Sequence, residues 1–163
     1  MSARRIFVAL GVGALALGLG TVAVAASPFS TASNPERIDI ISRATAINNF
    51  VDVGPTGPSP GDIYVFADDV FLASAPNQRV GQTLGRCTVI DPASARLGCS
   101  TTTSLPDGDI ITDGTLTNAS GVTSTGAITG GTGRFRNVRG EAVLDLGPPE
   151  GPHRASFRLI LQP

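Results

Sequence analysis

From residue 37 onward, the chain alternates short stretches of apolar–polar period two with clusters of Gly, Pro, Asn and Asp, and no stretch repeats its apolar residues at helical spacing. The pattern predicts eight strands: "RIDIISRATAINNFVD", long enough for a bulge, then "DIYVFADDVFLA", "RVGQTLGRCTVI", "ARLGCSTTT", "GDIITDGTLTN", "VTSTGAIT", "VRGEAVLDL" and "RASFRLILQ". In the second of these, Ile63 and Val65 point to one face, and Tyr64 and Phe66 to the other. Each strand has one face to bury, so the chain is all-β, a sandwich or a closed barrel. Closure is favoured because it is the way an antiparallel sheet abolishes its edges. A barrel of eight strands is just wide enough to hold its own side chains or one small ligand.

The start of the chain is excluded from the fold. "MSARR" is a short basic region, "IFVALGVGALALGLGTVAVA" is an uncharged apolar run, and Ala23-Val24-Ala25 offers a cleavage site. Residues 1–26 read as a signal peptide, with a retained anchor as the alternative, and residues 27–36 as a disordered linker before a barrel domain at 37–163. "ARRIFV" is similar to the twin-arginine pattern, so the export route is Sec or Tat. Removing Arg4 and Arg5 from the twelve basic residues leaves ten against thirteen acids, 10 − 13 = −3. An acidic domain with scattered arginines, no Trp and one Tyr lacks the basic stripe of a nucleic-acid binder. Export also assigns the two cysteines. Folding "TVIDPASARLG" about Ala93 brings Cys87 opposite Cys99, a cross-strand disulfide in an oxidising compartment.

Little else in the chain suggests hydrolytic or metal chemistry. The one histidine, His153, sits in "GPPEGPHRAS", a turn composition that reads as exposed loop. One His and two paired Cys make no transition-metal set, and "DGDIITDG" has Ile111 where a calcium loop needs an acid. Asp68 and Asp69 are strand neighbours on opposite faces and so form no acid–base pair. No metal and no cofactor is expected. "GAITGGTGRFRNVRGE", at 126–141, fails as a phosphate loop: Arg136 stands where a dinucleotide fingerprint needs Gly, and the chain has no Lys for a P-loop. It reads instead as a glycine-rich bend between two strands.

That segment, with Gly130, Gly131, Gly133, Arg139 and Gly140, resembles the glycine motif shared by allene oxide cyclases and dirigent proteins. "GDIYVFADDVF", "VGQTLGRCTVI" and "GDIITDGTLT" are similar to upstream elements of the same family and fall in the same order, so the resemblance spans about residues 38–162. It is strongest to the secreted actinobacterial members. It implies an eight-stranded antiparallel closed barrel, a homotrimer, and a central apolar cavity that binds a small hydrophobic molecule and directs its cyclisation or stereoselective coupling. A pocket of this kind works by orientation, with apolar walls and one or two polar anchors. Tyr64, Phe66, Arg43 and Asp62 are the candidate lining or mouth residues. Plant cyclases carry a Glu and an Asn on the first strand; here Asp39 and Asn48 are the candidate substitutes. The alternative is a non-catalytic secreted binding or scaffold protein. A barrel filled by its own side chains would favour that reading; a pocket with polar anchors would favour the first.

Overall fold

The computed structural model describes residues 35–148 and 151–160. The predicted signal peptide and most of the linker lie outside the described residues. Eight antiparallel strands close into one barrel in sequence order: β1 (Glu36–Val51), β2 (Ile63–Leu72), β3 (Ala75–Asp91), β4 (Arg96–Leu105), β5 (Gly108–Thr117), β6 (Thr123–Gly131), β7 (Arg139–Asp145) and β8 (His153–Ile160). Every neighbour in the sequence is a neighbour in the sheet, and β1 pairs with β8 to close it, from Glu36↔Leu159 to Ser42↔His153. The predicted bulge in the first strand is a register shift between Ala44 and Asn48 against β2. The third strand is longer than predicted. "APNQ" has loop composition, yet the hairpin continues through it, with Leu72 paired to Ala75 and Phe71 to Arg79 across further irregularities.

The two ends of the barrel differ. At the end where β1 begins, a cluster of Ile40, Val70, Ile110, Ile128, Phe157 and Leu159 fills the interior. Phe135 and Val138 complete it from the β6–β7 connection, where they are 1% and 0% exposed. The glycine-rich segment delivers them. After Gly131 the chain makes a short 3-10 turn, Gly133–Phe135, before β7 starts at Arg139. Gly133 and Gly140 take φ of +56° and +145°, which a side chain would strain. At Gly140 a β-carbon would also strike the carbonyl of Arg158 on β8. The turn is tied down from outside. Arg134 donates to both carboxylate oxygens of Glu36 at 2.6 and 2.7 Å, and its N–H to the Asp107 carbonyl at 2.8 Å. Arg139 donates to the Val138 carbonyl at 2.7 Å.

Candidate functional site

The opposite half of the barrel is not filled. A cavity of about 470 Å³ extends from the apolar floor toward the β5–β6 and β7–β8 connections. The residues around it follow from strand parity. On β2 the inward positions are Tyr64, Phe66 and Asp68, while Val65 faces out and is 40% exposed. Phe66 pairs with Gly85 on β3 and its ring occupies the space a side chain there would need. Tyr64 stands beyond it, its ring centroid 4.8 Å from that of Phe50. The expected disulfide is present, Cys87 on β3 paired with Cys99 on β4, and both residues line this cavity. With Leu97 and Leu116 they make one apolar wall; Ala142, Leu144 and Phe157 make the other.

A polar belt crosses these walls at mid-height. Ser42, Asp68, Thr83 and Thr103 are all buried. Register places Ser42 beside His153, Ala44 beside Asp68, Asp68 beside Thr83, and Thr83 beside Thr103. The hydroxyls pair, Thr83 with Thr103 at 2.9 Å and Thr101 with Thr112 at 2.6 Å. The two ionisable members have no such partners. Asp68 lines the cavity and its carboxylate oxygens are not among the sealed polar atoms of the described residues, so they open onto that space, whereas the Nδ1 of His153 is sealed and has no hydrogen-bond partner. Burial pushes the Asp68 carboxyl above the usual range, against the attraction of His153 and with a smaller push from Asp69.

Sequence reasoning placed four residues at the pocket. Tyr64 and Phe66 are in its wall. Arg43 is not: Ser42 and Ala44 take the inward positions of β1, so Arg43 faces out, 4.3 Å from the centre of the Phe71 ring and bonded to the Pro76 carbonyl. Asp62 is not either. It is 0% exposed, but its carboxylate turns into the β1–β2 loop, accepting N–H groups from Val53 at 2.9 Å, Gly54 at 3.4 Å and Ser59 at 2.6 Å. Of the two substitutes on the first strand, Asn48 lines the cavity, whereas Asp39 is bonded to Arg37 outside it. His153 corrects the loop assignment. It is the first residue of β8 and lines the cavity, because pairing with Ser42 extends the last strand back through turn-like sequence.

Asp68 was passed over because Asp69 points the other way, toward Arg79. Its signal was nonetheless present: it follows Tyr64 and Phe66 at the same period.

The Asp62 clamp has its own consequence for acid stability. The Val53 N–H, and after it the Ser59 and Gly54 donors, hold the Asp62 carboxyl below the usual range despite its burial. A group whose folded pKa is depressed contributes stability above its unfolded value, about 3.9, and that contribution disappears as pH falls through the folded pKa. Asp62→Asn is therefore expected to melt lower than wild type at neutral pH and to show a shallower loss of melting temperature below about pH 4. Parallel acid melting curves for the two proteins would show the clamp to be unimportant.

A family model described as an allene oxide cyclase barrel like domain matches residues 43–159. Among solved structures, a pyocyanin demethylase is similar with a TM-score of 0.65 and 25% identity, over 77% of this chain and 100% of that one. AbnU, an exo-specific intermolecular Diels-Alderase, gives 0.62 and 22%, over 78% and 98%. The pterocarpan synthase dirigent protein GePTS1 gives 0.58 and 19%, over 77% and 81%. The last two likenesses carry the fold alone. No curated protein sequence matches.

Proposed function

Because the chain belongs to the allene oxide cyclase barrel-like family, we propose that it is an exported barrel that binds a small hydrophobic molecule in its central cavity and directs the cyclisation or coupling of that molecule by holding one conformation. The observation that carries this reading is the contrast between the two halves of the barrel. The interior of one half is filled by the Ile40–Leu159 cluster and the Phe135 plug, whereas the other keeps about 470 Å³ free of the described side chains. Such a volume suits a small ligand, and the lining has the composition of a binding site, apolar and aromatic walls with a few polar anchors. A scaffold has no use for such a space, since filling it would add stability.

Similar barrels named as a Diels-Alderase and as a pterocarpan synthase dirigent protein support substrate orientation as the use of the cavity. One named as a pyocyanin demethylase shows that the barrel is not tied to one reaction. The signal-like start of the sequence and the disulfide support export. The family resemblance supports a homotrimer.

Native mass spectrometry on protein taken from its producer's culture medium is expected to show a trimer carrying a defined small molecule. In a second assay, the barrel is expected to bind the neutral fluorophore N-phenyl-1-naphthylamine, and Phe66→Ala to bind it more weakly by on the order of tenfold. No copurified molecule and no uptake of the fluorophore would overturn the binding reading. A monomer that binds would remove only the trimer.

A further inference from the structure

The barrel buries two carboxylates and treats them oppositely. Asp62 receives three backbone N–H groups. Asp68, 8% exposed, is in no side-chain hydrogen bond among the described residues, and the hydroxyl of its cross-strand neighbour Thr83 is paired with that of Thr103. Its oxygens are not sealed by the described residues but face the cavity, where a carboxylate has few polar neighbours. A carboxyl kept so in the wall of a cavity is placed to meet something that enters it.

Its surroundings also say what kind of group that is. Asp68 is approached from β1 by Ser42 and Ala44, which carry no charge, and from β3 by Thr83. Arg43 and Asp69 lie on outward positions, engaged with Phe71 and Arg79. Asp113, on β5, also borders the cavity, but its carboxylate accepts the Thr129 hydroxyl at 3.1 Å. The other titratable groups of the described cavity wall are the Tyr64 phenol on β2 and His153 on β8, whose Nδ1 is buried and unpartnered. Among the described residues no arginine lines the cavity. Asp68 therefore lacks the fixed cation that would quench its basicity, and its walls are the Phe66 ring, a disulfide and aliphatic side chains. Poor solvation makes a carboxylate a stronger base than it is in water.

We propose that Asp68 is a general base that takes a proton from a carbon acid bound in the cavity, a conjugated carbonyl or heteroaromatic compound of largely apolar character. This inference rests on the cavity reading above and adds acid–base chemistry to orientation. The C–H bond breaks, the proton goes to an Asp68 carboxylate oxygen, and the electron pair moves into the conjugated system as an enolate or its nitrogen counterpart. Asp68 then returns the proton to a different atom of the same molecule, giving an isomer with no oxidant or reductant.

The test uses 5-nitrobenzisoxazole, a small aromatic carbon acid. Loss of its ring C–H proton to a base breaks the N–O bond, converts C=N to a nitrile and releases a coloured phenolate. The full chain is expected to catalyse this reaction, with a rate that rises with pH through a value above that of an ordinary aspartate. Asp68→Asn is expected to lose about 10²-fold or more, and Asp68→Glu to recover part of the loss.

Uptake of N-phenyl-1-naphthylamine, measured alongside, shows whether Asp68→Asn still folds around an open cavity. Because burial raises the carboxyl's pKa, the wild-type barrel loses stability as pH rises through that value, so Asp68→Asn is expected to melt no lower than wild type at neutral pH. Equal rates in wild type and Asp68→Asn, with binding intact, would overturn the base and leave the cavity reading standing. Failure of both proteins to bind the fluorophore would overturn the cavity reading, and the base with it.

Discussion

Phe135→Ala is expected to remove about 3–5 kcal/mol of stability, seen as a fall in the urea midpoint with an unchanged slope. The side chain is 1% exposed and reaches the interior cluster from a 3-10 turn between two strands. Its neighbours are strand residues fixed by ladders on both sides, among them Ile110 and Ile128, and cannot close over the space left behind. The cost is accordingly that of a cavity as well as of lost transfer free energy. Phe135→Leu keeps most of the volume and should cost less than half as much. If alanine unfolds at the wild-type midpoint, the turn is a lid resting on a self-sufficient core.

Reducing the Cys87–Cys99 disulfide is expected to cost on the order of 3 kcal/mol, the loop-closure value for a short span, here twelve residues. The two residues are register partners on β3 and β4 with Cα atoms 4.0 Å apart, so the bond joins strands that are paired in any case. Its contribution then comes through the unfolded chain. Unfolding in urea with and without reductant measures it, and Cys87→Ala/Cys99→Ala gives the same comparison without redox chemistry. The double variant should match the reduced protein and be insensitive to reductant. A wild-type midpoint that ignores reductant, in a sample shown to carry free thiols, would refute the staple. Because both cysteines line the cavity, the double variant also removes two sulfur atoms from the wall that holds Phe66.

Strand existence was legible because alternation is a local property. The two strands of the disulfide hairpin could be paired from sequence because a short turn fixes their register. The "APNQ" segment lay outside the strands read from alternation, because its pairing depends on irregularities opposite Val70 and Phe71 that turn residues do not announce. The glycine-rich segment was read as a bend between two strands, and it connects β6 to β7 through a short turn. That it inserts Phe135 and Val138 as a plug was hidden, since its alternation breaks off in a three-residue turn.

The site divides along the same line. Tyr64 and Phe66 were found because the period of one strand places them together. The same period, continued two residues, places Asp68, and parity on β1 would have excluded Arg43. His153 was beyond local reasoning. It meets Ser42 only because the first and last strands close the barrel, and its sequence neighbours are prolines and glycines. Asp62 follows a glycine at the entry to a strand, where a carboxylate bonds loop amides as readily as it lines a mouth.

The seam between β1 and β8 bears on how the molecule comes into being. A barrel with one strand missing has two open edges and an uncovered interior, so the first strand stays unpaired on one side until the last has been made. Pairing of the chain's extremes raises its contact order and slows folding. Until that seam forms, exposed ladders invite pairing with other chains. However early the hairpins form, the cavity has no complete wall until the eighth strand has been made and docked, so ligand capture belongs to the last event of folding.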